Sequence, residues 1–182
     1  MQRANLEHLI RSAGAVAECK EIIVIGSQSI LGKYPNAPQE ALLSMEADLI
    51  PAGHPERADL IDGTLGELSS FHDTFGYYGD GCDETTSILP NGWKDRLIAI
   101  DNPNTNGVKG LCLDPHDMAI AKLIAGREKD INVCSVLVEH GMLDKAILIK
   151  RLQNTEINDA TYSLVLASIN KITNNNTHGM SP

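Results

Sequence analysis

Three features of this chain have the residue types and spacing to do chemistry. The first is an acid pair, Glu46 and Asp48, in the run Glu46-Ala47-Asp48-Leu49-Ile50. Read as a strand, the run puts both carboxylates on one face and Ala47 and Leu49 on the other. Two carboxylates on one face repel unless something positive lies between them. Mg²⁺ is the natural candidate, since it is held by one or two carboxylates together with substrate phosphates. The plain alternative is two solvated acids at a sheet edge, but the apolar flanks Leu42-Leu43 and Leu49-Ile50 favour a semi-buried strand.

The second feature is Gly26-Ser27, directly after the β-branched run Ile22–Ile25. A glycine lets a ligand approach the backbone closely. A serine at a helix start offers a hydroxyl and free N–H groups, which suit a phosphate. Alone, the pair is more often a capped turn. It is neither a Walker loop nor a dinucleotide fingerprint, because neither glycine pattern is present. The third feature is Lys122, Arg127 and Lys129 with Asp130. Three bases so close could grip a triphosphate or an RNA backbone, or simply form a solvated helix face. Their apolar neighbours point to a sheltered Lys122.

Two further candidates lie in a glycine- and aromatic-rich stretch, Phe71–Trp93. His72 could act as a general base or stack on a nucleobase, although a hydrogen-bonded core histidine is the commoner reading. Tyr77 and Tyr78 could form a stacking platform or a local mini-core.

The elements that must position these groups follow from periodicity. Apolar residues at helical spacing predict a helix over 4–18, and Glu21–Ile25 predicts a buried strand. A helical stretch is expected from Ser27, a helical turn within Gln39–Met45, a strand at Glu46–Ile50, and a helix over 57–69 with the stripe Leu60, Ile61, Leu65 and Leu68. Strands are expected at Arg96–Ile100 and Gly110–Leu113. Asp114-Pro115-His116-Asp117 is a good helix start, and helices follow to about Ala125, over Arg127–His140, Leu143–Leu152 and Asp159–Ile172. The expected organisation is a mixed α/β core over residues 1–113, a helical block over 114–172, and a frayed tail over 173–182.

Composition narrows the class. The 182 residues are 42% hydrophobic, which excludes a disordered or low-complexity chain. No run approaches the roughly 20 apolar residues of a membrane span, and the first residues lack a signal peptide's apolar stretch. Cys19, Cys82, Cys112 and Cys134 have neither zinc-site nor clip spacing. The expectation is a cytoplasmic protein with reduced thiols and no membrane association. Residues 33–101 hold thirteen acids against four bases, enough to account for the whole net charge of -9. That argues against a broad basic footprint for nucleic acid, DNA above all.

Taken in order, Gly-Ser after the first strand and acid-x-acid on the next resemble the nucleotidyltransferase superfamily. The segment Leu113–Asp130, L-x-P-H-D-M-A-x-A-K-L-x-A-G-R-E-K-D, is similar to that of bacterial nucleotidyltransferase-like proteins of the DUF6036 type. These in turn resemble the AbiE-type abortive-infection toxins. Glu67–Tyr78 and Leu89-Pro90-x-Gly92-Trp93 look like the same family. The resemblance covers about residues 20–140.

It implies a small mixed sheet flanked by helices, with the helical block beside it. It also implies NTP phosphates at Gly26 and Ser27, and Mg²⁺ or Mn²⁺ at Glu46 and Asp48. Lys122 and Arg127 would contact phosphate, with Asp130 orienting Arg127. NMP would pass to a hydroxyl of RNA, such as tRNA, or of a protein. An antitoxin or a second copy of the chain would be a partner. The superfamily places a third carboxylate on a following strand, whereas Leu97–Ile100 has Ala99 there, with Asp101, Asp62 and Asp59 as outliers. The first acid is Glu in place of the usual Asp. These departures keep open a nucleotide-binding or partner-binding module without turnover.

Overall fold

The β-branched run Glu21–Ile25 forms β1, the middle strand of a five-stranded mixed sheet. The structure is a computed structural model that describes residues 1–174. On one side of β1 lies β2 (Glu46–Pro51), antiparallel to it, and then β3 (Tyr78–Gly81), parallel to β2. On the other side the outermost strand is β4 (Ile98–Ile100); it runs antiparallel to β5 (Lys109–Cys112), which is parallel to β1. The sheet order is therefore β3-β2-β1-β5-β4. Ile22, Ile23, Val24 and Ile25 are all buried, as a central strand covered on both faces requires.

Helix α1 (Arg3–Val16) covers one face through Leu6, Leu9, Ile10 and Ala13, each fully buried. Beside it, α2 (Ala58–Leu65) packs on β3. It is shorter than the predicted 57–69 helix, because the chain leaves the helix at Gly66. Leu68 has a left-handed backbone (φ +63°). Only Ile61 and Leu65 of the expected stripe are buried; Leu60 and Leu68 are exposed. The aromatic stretch contains two elements that periodicity did not indicate, α3 (Ser70–Phe75), capped by Ser69 on the His72 N–H, and β3. The helical stretch expected at Ser27 is a 3₁₀ helix, Ser27–Gly32, and that near Gln39 is a 3₁₀ turn, Gln39–Ala41.

The C-terminal helices are α4 (Pro115–Ala125), α5 (Glu128–Glu139), α6 (Lys145–Gln153) and α7 (Asp159–Asn174). They pack on one another, and they meet the sheet side where α4 touches Ser27–Gly32 and α5 touches Gln39–Ala41. Residues 173 and 174 end α7, and the rest of the expected tail lies outside the described residues. All four cysteines are free. Among the described residues no helix is long and apolar enough to cross a membrane.

The Pro-His-Asp-Met start of α4 is a structural staple. Asp117, wholly buried, accepts from Arg96 Nε at 2.8 Å and from its Nη2 at 3.1 Å. Arg151 Nε stands 2.9 Å from Asp117 Oδ1, contributing charge without hydrogen-bond alignment. One carboxylate thus ties the chain before β4 to α4 and α6. His116 Nε2 accepts the Asp144 N–H at 3.0 Å, so its proton is on Nδ1, facing Asp114 Oδ1 at 3.2 Å. Asp117→Ala leaves two sheltered guanidiniums without a counter-charge. It is expected to cost about 3–5 kcal/mol of unfolding free energy, read from the denaturant midpoint at unchanged m-value.

Candidate active site

The pairing of β1 with β2 brings the first two sequence features together. Ile25 lies opposite Asp48, so Gly26, the next residue, is set against the Asp48 carboxylate. A Cβ at position 26 would stand 2.0 Å from Asp48 Oδ2, and the backbone there has φ +69°. Glycine alone meets both conditions. The Ser27 hydroxyl beside it has no partner among the described residues. Alternation holds as expected: Ala47 and Leu49 are buried, while Glu46 and Asp48 point to the half-open face.

The strand on which the sequence shows Ala99 in place of a third acid, β4, is not a neighbour of β2. β4 lies at the far edge, three strands from β2. The other neighbour of β2 is β3, which carries Asp80 in register with Asp48. The strand reads Tyr-Gly-Asp-Gly and has no apolar flank to announce it. Its glycines answer to close approach: a Cβ at Gly81 would stand 1.9 Å from the Ala58 carbonyl oxygen, and one at Gly79 2.7 Å from Leu49. The usable signal was the charge excess of residues 33–101 combined with this short glycine-spaced acid. Of the outlying acids, Asp62 lies near enough to Asp80 to raise its pKa.

Burial and like charge act together here. Burial, then Glu46 and then Asp80, push the Asp48 carboxyl up to about 6, against the opposing pull of Lys122. Burial and Glu46 raise that of Asp80 as well. The Tyr78 hydroxyl donates to Glu46 Oε2 at 3.3 Å. Burial and the surrounding carboxylates push it up to about 12, so it stays a neutral donor. The His72 ring lies against that of Tyr78, centroids 4.6 Å apart and planes tilted by 45°, and its Nδ1 accepts the Leu68 N–H. Tyr77 points the other way, into a mini-core with His8, Phe71 and Phe75. The two tyrosines therefore do not form one platform.

Lys122 and Arg127 converge on Asp130. Lys122 Nζ donates to Oδ1 at 2.7 Å and Arg127 Nε to Oδ2 at 2.5 Å. Lys122 and Asp130 are buried, whereas the Arg127 side chain is 62% exposed. Burial raises the Asp130 pKa, but the two cations outweigh it and hold the carboxyl below its ordinary value. A cleft of about 990 Å³ is lined by Gly26, Ser27, Glu46, Asp48, Lys122 and Arg127 together with Asp130. It has the size of a small-molecule site. Tyr78, His72 and Asp80 are not part of its lining; Asp80 lies on the far side of Asp48.

Among the described residues no three acids, histidines or cysteines form a ready-made metal cage. The donor set fits a divalent cation all the same. Paired hard carboxylate oxygens are what Mg²⁺ uses when phosphates complete its shell.

The raised Asp48 pKa has a stability consequence. An acid held above its unfolded value costs stability when ionised, and the cost is recovered as pH falls through about 6 toward 3.8. Asp48→Asn is therefore expected to stabilise the metal-free protein at pH 7 on the order of 1–2 kcal/mol. The gain should shrink at pH 4.5, as two thermal melts of each protein would show.

The family whose pattern matches residues 4–173 is described as a nucleotidyltransferase of unknown function, DUF6036. No curated protein and no solved structure matches the chain. The family match runs from the first turn of α1 to the last turn of α7, so it takes in the whole sheet and both walls of the cleft. By that match the chain belongs to the DUF6036 nucleotidyltransferases.

Proposed function

We propose that the chain transfers NMP from an NTP to a hydroxyl acceptor, with Mg²⁺ or Mn²⁺ held by Glu46 and Asp48. The carrying observation is the contact of Asp48 with Gly26, which sets an acid pair against a turn suited to phosphate. Asp80, in register beside Asp48, supports turnover over a binding module without it, since the want of a third acid was the main ground for the latter.

In this reading the triphosphate lies in the cleft. The Ser27 hydroxyl and the turn's N–H groups hold it, Lys122 faces it from α4, and Arg127 closes on it from the exposed rim. Asp130 keeps both cations aimed. The bound cation would offset phosphate charge and make the acceptor hydroxyl easier to deprotonate. The acceptor approaches from the β3 side. Its oxygen attacks the α-phosphorus, the bond to the bridging oxygen breaks, pyrophosphate leaves, and the acceptor's proton passes to Asp80, whose raised proton affinity suits a base. The Tyr78 hydroxyl steadies Glu46. The acceptor is RNA, such as tRNA, or protein. A toxin-like role, and an antitoxin or a second copy as partner, belong to the same reading.

Purified protein incubated with Mg²⁺ or Mn²⁺ and each α-labelled NTP, with total RNA or alone, is expected to label one acceptor class. Asp48→Asn and Asp80→Asn should each lower the transfer rate by about 10²–10⁴-fold with the fold intact. Transfer that survives Asp48→Asn would remove the acid pair from the mechanism. Triphosphate binding without any labelling would select the binding module. Gly26→Ala, which must displace Asp48, is expected to reduce transfer as far as Asp48→Asn does, and full activity in this variant would contradict the close approach of turn and acid.

A further inference from the structure

Glu40 of the Gln39–Ala41 turn apart, the cleft's charges gather at one end. Gly26, Ser27, Glu46, Asp48 and Lys122 stand where β1, β2 and α4 meet. Helix α5 starts at that end with Arg127 and Asp130 and runs on past it. Its cleft face is a single stripe, Lys129, Asn132, Val133 and Val136, at the i, i+3, i+4, i+7 spacing of one helix side. At 1.5 Å per residue, Val136 lies roughly 13 Å along the axis from Arg127. A nucleoside extending from a triphosphate gripped at Arg127 would reach this stretch.

What it would meet is aliphatic. Val133 and Val136 are half-buried, and Leu43 and Ile88 bring side chains 80% and 49% exposed to the same cleft. Large apolar groups left open beside a charged site call for a flat, weakly polar partner. No aromatic side chain lines the cleft among the described residues, so a base there is packed by aliphatic surfaces and not stacked on a ring. One carboxamide is set into the apolar stretch of α5, that of Asn132. It has no partner among the described residues. An amide presents a donor and an acceptor side by side, the pattern that engages a base edge in two hydrogen bonds.

We infer that Asn132 is the residue that reads the nucleobase, which sits on the aliphatic seat of Val133, Val136 and Ile88. The inference rests on the reading of the cleft as an NTP site, and the test separates the two. Binding of ATP, GTP, CTP and UTP with Mg²⁺ would be measured by calorimetry, with inorganic tripolyphosphate as a probe of the phosphate end alone. The wild-type protein is expected to separate its best and worst base by about tenfold or more. Asn132→Ala should narrow that spread to within about threefold while leaving tripolyphosphate affinity unchanged. Val136→Asp should weaken all four NTPs by about tenfold and tripolyphosphate not at all. A spread that persists in Asn132→Ala, or a wild-type protein that binds all four NTPs alike, overturns the assignment and leaves the nucleotidyltransferase reading standing. Failure of the wild-type protein to bind either NTP or tripolyphosphate overturns both. Asn132 is exposed, so its truncation is not expected to disturb the fold.

Discussion

The site depends on one strand register. Antiparallel pairing of β1 with β2 sets Ile25 opposite Asp48, and parallel pairing of β2 with β3 sets Asp48 opposite Asp80. A slip of one residue in either pair would turn the acids into the α1 face and bring Ala47 and Leu49 out. The register is fixed by burial on the other side, where Leu49 and Ala47 pack beneath α1. The hydrophobic layer that holds the sheet together is thus also what aims the carboxylates.

The arrangement has an electrostatic cost. Three carboxylates lie on adjacent strands, and the nearest cation, Lys122, is already engaged by Asp130. A sequence selected for stability alone would not place Glu46, Asp48 and Asp80 so. The fold bears the repulsion because its other buried charges are well matched. Asp117 has two guanidiniums, and Glu7 receives hydrogen bonds from Arg3, Asn102 and Asn104 that outweigh its burial and lower its pKa. Opposite charges meet where they hold elements together, and like charges are left together at one place, Glu46, Asp48 and Asp80.

Much of this was legible in the residues. Ile22–Ile25 reads as a buried strand, Asp114-Pro115 as a good helix start, and the alternation around Glu46 gave the face of the acid pair. The spacing of Lys122, Arg127 and Asp130 fixed their order on two helices but not that both cations share one carboxylate. What stayed hidden was β3. Gly79 and Gly81 exist to let Leu49 and the α2 backbone come close, and a strand chosen for closeness has no side chains to form a pattern. Ala99 drew attention because β4 is apolar and in sequence order, but neighbours in a sheet are set by topology and not by succession. Helix α5 carries apolar residues on nearly every side, yet one stripe of it faces the cleft.

The Arg96–Asp117–Arg151 staple bears on how the cleft is entered. It binds the chain leading into β4 to α4 and α6 through a carboxylate that water does not reach, so swinging the helical roof away from the sheet as a rigid lid would have to break it. Opening by that route is mechanically expensive. The segment from Cys82 to Asn91, which brings Ile88 to the cleft, is tied down as well: the Cys82 N–H donates to the Leu49 carbonyl, the Asn91 N–H to that of Asn154, and Glu84 pairs with Lys94. The distance between the sheet and the helical wall of the cleft is thereby set by a buried ion pair and not by whatever occupies the space between them.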